Sequence, residues 1–139
     1  MKLCFSTKGW HDASWEDFLT AAEDLGFEGI EIHNLSAPAM NRKGGPADAN
    51  AAAAAYRAVY DRRLSIPCID TTVDLCDQAK QGELFREIVN CVEAARRLHA
   101  PYVRLHTACD EAAFNDEAVH AALSFALPIA QENDVVLLI

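Results

Sequence analysis

The chain holds 139 residues, 51% of them hydrophobic and 24% charged, with 6 Gly and 5 Pro. That is enough core-forming sequence for one domain, and it excludes a disordered, collagen-like or low-complexity protein. Lys and Arg number 12 against 21 Asp and Glu, a net charge of -9; such a field repels a phosphate backbone and argues against a nucleic-acid partner.

The first apolar run, residues 2–6, reads as a strand and leads into a loop holding Lys8, Gly9, Trp10 and His11. Ser14 has the chemistry of a helix N-cap, with Asp17 three residues on as its carboxylate partner. Trp15, Phe18, Leu19, Ala22 and Leu25 follow at helical spacing, and Gly26 falls where a helix ends in a left-handed turn. Residues 27–33 form a second strand. Gly44-Gly45-Pro46 marks a turn, after which five alanines, 51–55, open a second helix. Its apolar side continues through Tyr56, Val59, Tyr60 and Leu64. The third strand, 66–69, runs into the polar stretch from Asp70 to Asp74. A third helix is expected from about 82 to 98, striped by Leu84, Phe85, Ile88, Val92, Ala95 and Leu98. His99 then reads as a surface or C-cap residue. Residues 102–106 form the fourth strand. Asn115 caps a fourth helix, which Pro128 is expected to bend or shorten, with His120 packing beside its apolar stripe. Residues 135–139 make a fifth strand.

The strand ends near residues 6, 33, 70, 106 and 139 recur like strand-helix units joined by right-handed crossovers, so the sheet is expected to be mainly parallel. Eight units of this size need about 250 residues, the length of a (β/α)8 barrel. The predicted fold class is therefore α/β of TIM-barrel type, truncated to about four and a half units. Residues 1–139 form the N-terminal half and end inside strand five. An open five-stranded sandwich is the alternative.

Strand parity favours the barrel. Ile30 and Ile32 face one way while Glu31 and His33 face the other; Val103 and Leu105 likewise oppose Arg104 and His106. Asp70 shares a face with Cys68 at the end of strand three. Glu31, His33, Asp70, Arg104 and His106 are thus expected on the inner face near the C-terminal mouth, where barrel active sites lie. Arg104 is also placed to salt-bridge Glu31 across the barrel floor.

Five cysteines, at 4, 68, 76, 91 and 109, form no CxxC pair, and Cys4, Cys68 and Cys91 sit among apolar neighbours. They read as reduced thiols in a cytoplasmic protein. The N-terminus lacks the apolar core of a signal peptide, and no run approaches the roughly 20 apolar residues of a membrane span. Phosphate-binding glycine motifs and a serine nucleophile elbow are absent from the sequence.

The segments LGFEGIEIH at 25–33, PYVRLHT at 101–107 and ALPIAQENDVVLLI at 126–139 together resemble the xylose-isomerase-like TIM-barrel superfamily, in its sugar phosphate isomerase/epimerase branch. The resemblance covers the whole chain but only the first half of such a barrel. It implies a parent that is a divalent-metal-dependent isomerase or epimerase of a small-molecule sugar or sugar phosphate. Its cation would be Mn, Mg, Co or Zn, held by acidic residues and a His on later strands. The first of these ligands is a Glu at the tip of strand five, just beyond Ile139, so no metal site is expected in this fragment. Glu31 matches the family's strand-two Glu near substrate and His106 its strand-four His. Trp10 and His11 are placed to wall a sugar pocket. The endonuclease branch has a His at the end of strand three, where this chain has Cys68, Asp70 and Thr71; with the charge, that speaks against DNA repair. Two alternatives stay open. One is a lyase parent of the inosose-dehydratase kind. The other is a non-catalytic half-barrel that self-associates, as a homodimer through its exposed sheet edges.

Overall fold

The computed structural model describes residues 2–10, 12–42, 44–107 and 114–139. Five strands alternate with helices: β1 (Cys4–Ser6), α1 (Trp15–Asp24), β2 (Gly29–His33), α2 (Pro38–Asn41), α3 (Ala52–Asp61), β3 (Cys68–Asp74), α4 (Gln81–Leu98), β4 (Tyr102–His106), α5 (Asp116–Glu132) and β5 (Val136–Leu138). A single 3₁₀ turn, Gln78–Lys80, precedes α4. The strands pair in chain order, β1-β2-β3-β4-β5, and every pair is parallel. Strand order never reverses, as in a barrel; a doubly wound sheet would turn back at a switch point.

Local chemistry explains the elements. The Ser14 hydroxyl accepts from the Asp17 N–H at 3.2 Å, and the Asp17 carboxylate accepts from the Ser14 N–H at 2.7 Å, so the first turn of α1 is capped reciprocally. Gly26 takes the left-handed turn after it with φ 71°. His99 ends α4 with φ 53°, an αL cap made by a residue other than glycine.

The alternating apolar residues of the strands pack against the helices. Ile30, Ile32, Ile69, Val103 and Leu105 are at most 1% exposed, together with Phe18 and Leu19 from α1 and Leu84, Ile88, Val92 and Leu98 from α4. Phe85 of α4 and Phe125 of α5 stack at 4.2 Å, joining those two helices. Helices thus cover one face of the sheet, and the polar strand residues occupy the other.

Several expectations are corrected. The short helix α2 was not predicted. Strand three begins at Cys68 and runs on to Asp74: Pro67 has no N–H to give the ladder, and before it only Ser65 bridges to Gly29. Helix α5 runs through Pro128 to Glu132 without being shortened. The carbonyl that the proline leaves unpaired belongs to Ser124, an exposed residue, so water can satisfy it. His120 is exposed rather than packed, and Cys4 is exposed because it shares the open face of edge strand β1 with Ser6. Cys68 and Cys91 are buried, and burial pushes their thiols up to about 11 and about 12. No disulfide joins the described cysteines, and among the described residues no helix is long and apolar enough to cross a membrane.

Candidate functional site

Register decides which side chains meet. Ser6 pairs with Glu31, His33 with Asp70, and Asp70 with Arg104. Because neighbouring positions in a ladder share a face, Glu31, His33, Asp70, Arg104 and His106 gather on the face turned away from the helices. They form one connected network. Arg104 Nη2 donates to Glu31 Oε2 at 2.7 Å, and its Nη1 lies 3.5 Å from Asp70 Oδ1. Asp70 Oδ2 is 2.7 Å from His33 Nδ1, and Oδ1 is 2.7 Å from His106 Nε2.

Burial grades the network. Asp70 is 2% exposed, whereas the His33, His106 and Arg104 side chains keep 23%, 32% and 39% of their surface open. Asp70 is therefore the sealed centre, and a ligand would meet the two imidazoles and the guanidinium. The hydrogen bond from Arg104 to Glu31 raises the guanidinium above its ordinary value, against a smaller opposing effect of burial. It also ties Glu31 up as an ion pair.

A hollow of about 280 Å³ adjoins the network beyond the ends of β1 and β2, lined by Thr7, Gly9, Trp10, Phe18, His33, Asn34 and residues 37–40. Trp10 is held by its ring contacts with Phe5 at 5.8 Å and Phe18 at 5.9 Å, which leave it 45% exposed. Larger hollows, of about 630, 450, 370 and 340 Å³, lie on α5, between α3 and α4, between the ends of α4 and α5, and beside Thr72 and the first half of α4. The smallest one is the candidate site because it alone of these borders the charged cluster. His11 lies outside the described residues.

Two threonines that sequence reasoning passed over stitch this corner. Thr7 Oγ1 accepts from the His33 N–H at 2.9 Å, and Thr71 Oγ1 donates to the Arg104 carbonyl at 2.9 Å. Thr7 is 6% and Thr71 0% exposed. A bulge follows: between the pairs Asp70–Arg104 and Asp74–His106, β3 carries three residues against the single Leu105 of β4. There the N–H and hydroxyl of Thr72 donate to Glu87 of α4, at 2.8 and 2.9 Å.

The network does not fit a divalent cation as it stands. Both oxygens of Asp70 are engaged by imidazole nitrogens at hydrogen-bond distance, and among the described residues no three His, Cys, Asp or Glu side chains converge as ligands.

No protein-family model matches the chain, and no curated protein matches it. Solved structures do. The IOLI protein with a binding zinc atom superposes with a TM-score of 0.74 at 19% identity, over 99% of this chain and 50% of that one. The probable 3-DHS dehydratase AsbF, involved in petrobactin synthesis in Bacillus anthracis, gives 0.72 at 18%, over 100% and 52%. D-psicose 3-epimerase with D-tagatose from Clostridium cellulolyticum H10 gives 0.72 at 12%, over 99% and 51%. The chain spans about half the length of the structures it matches. Its fold is α/β of TIM-barrel type, four and a half strand-helix units long, and it is similar to half of a xylose-isomerase-like barrel.

Proposed function

We propose that residues 1–139 are the N-terminal half of a cytosolic, divalent-metal-dependent isomerase or epimerase of a sugar or sugar phosphate. In this reading the open face supplies one wall of the substrate pocket. The observation that carries it is the convergence of Glu31, His33, Asp70, Arg104 and His106 beside an aromatic-walled hollow, in a fold whose neighbours include sugar epimerases. The reaction removes a proton next to a carbonyl and needs charge that holds the developing enediolate. Arg104 has donors to spare for an oxyanion, and Glu31, fixed by Arg104, orients a hydroxyl. The apolar C–H face of a sugar suits the indole of Trp10. The described residues do not themselves cage a cation, so the Mn, Mg, Co or Zn of this reading would be held by groups outside them. Small sugars are the proposed ligands, with neither nucleic acid nor membrane as a partner.

The test is proton exchange. The complete protein, supplied with each divalent metal in turn, is incubated with keto-sugars in heavy water. Deuterium appearing beside the carbonyl, with isomer or epimer as product, supports the reading. Loss of water from the substrate instead assigns a lyase, a reading favoured by the superposition on a dehydratase. A folded, metal-loaded protein that gives neither exchange nor any isomer, epimer or dehydrated product refutes both. A homodimer through the sheet edges is the remaining reading, favoured by the exposed apolar residues Leu3, Val136 and Ile139 beside the edge strands.

A further inference from the structure

Asp70 is a buried carboxylate whose two oxygens divide between two imidazoles. An ionised carboxylate only accepts hydrogen bonds, so each ring nitrogen that faces it must carry a hydrogen. Arg104, 3.5 Å from Oδ1, gives the carboxylate a countercharge without displacing either ring. We propose that Asp70 is a positioning residue that holds His33 and His106 in opposite tautomers, with hydrogen on Nδ1 of the first and on Nε2 of the second. Nε2 of His33 and Nδ1 of His106 are then left as bare acceptors. A ligand meets the rings and not Asp70, because the rings stay 23% and 32% open above a carboxylate that is almost wholly covered.

The tautomers set the ligand class for this wall. Two bare nitrogens beside the ion-paired Glu31 accept from hydroxyl groups. They offer no hydrogen to a phosphate oxygen, which among these groups would find its donors on Arg104 alone. The two rings therefore take polyol hydroxyls, and any phosphoryl group of the substrate lies away from them. The ligand class rests on the sugar-binding reading above; the tautomers do not.

The experiment is a two-bond proton–nitrogen correlation spectrum of the 139-residue chain labelled with ¹⁵N-histidine, at about pH 8, where a free imidazole is neutral. His33→Gln and His106→Gln variants assign the signals. The expected spectrum shows a pyrrole-type Nδ1 and pyridine-type Nε2 for His33, and the reverse for His106. Two rings in the same tautomer, or either ring doubly protonated, overturn the proposal. In Asp70→Asn the amide offers one accepting oxygen and one donating nitrogen, so one of the two rings must exchange its tautomer. A folded variant with both tautomers unchanged also overturns it. The wild-type spectrum decides the matter even if that variant does not fold. Added inorganic phosphate should leave the two histidines' signals in place, and a shift of both overturns the ligand class. An inactive protein with the assigned tautomers refutes the functional reading alone, and an active one with any other pair refutes this inference alone.

Discussion

The pairing of Glu31 with Arg104 can be measured without knowing the substrate. At about 4 Å between charge centres, the Coulomb term is about 1 kcal/mol in bulk water and about 4 kcal/mol at the effective dielectric of a protein surface. The Arg104 side chain is 39% exposed and that of Glu31 18%, so solvent screens much of the upper figure. We expect a coupling of about 1.5 kcal/mol, above the usual range for exposed pairs because the 2.7 Å hydrogen bond is charge-assisted and one partner is mostly covered. Urea unfolding of the wild-type chain, Glu31→Gln, Arg104→Met and the double variant gives this coupling as a double-mutant cycle. Arg104→Met alone should cost more than Glu31→Gln alone, since it also leaves Asp70 without its cation. Single effects that simply add, to within about 0.3 kcal/mol, would mean that solvent screens the pair completely. Glu31 would then be a free carboxylate, open to a catalytic role that the network denies it.

Other consequences follow from packing and capping. A Cβ on Gly29 would lie 2.8 Å from Cys4 Sγ and from both the carbonyl and the hydroxyl oxygen of Ser65. Gly29→Ala should therefore destabilise by about 1–3 kcal/mol. Gly82→Ala meets nothing within 4 Å in the first turn of α4 and should stabilise by up to about 1 kcal/mol; thermal melts compare the two. Ser14→Ala should cost about 1 kcal/mol in the same assay. The backbone and hydroxyl of Ser14 hold the Asp17 carboxyl below its ordinary 3.8. A lowered native value adds stability above the unfolded value and loses it as pH falls through the native one, so the difference between wild type and Ser14→Ala should shrink below about pH 4. All three thiols of Cys4, Cys68 and Cys91 are raised by burial, so access separates them: buried Cys68 and Cys91 should resist iodoacetamide at about pH 8 while exposed Cys4 is alkylated faster. Equal labelling of all three, resolved by peptide mass, would mean that the layer between sheet and helices opens readily.

Much of this site was legible because a strand has a strict period of two. Once residues 29–33 and 102–106 read as strands, Glu31 and His33 had to share one face, as did Arg104 and His106. Asp70 joined them because it ends an apolar run on the same parity. What sequence did not disclose depends on partners far along the chain. Thr7 meets His33 26 residues away, and Thr71 meets Arg104 across 33; neither threonine carries a local signal. The four residues of α2 are too few to show helical periodicity. The bulge after Asp70 adds residues without a glycine to mark it. Pro128 does not shorten α5, because a proline's cost depends on whether the freed carbonyl faces water.

The most direct measurement is a crystal structure of the complete protein grown with a ketohexose. The sugar should lie against the open face, with hydroxyls within about 3 Å of His33 Nε2 or His106 Nδ1 and its C–H face on Trp10. A sugar bound in the hollow between α3 and α4, or on α5, with Glu31, His33 and His106 out of reach, would contradict the assignment of this face as the substrate wall.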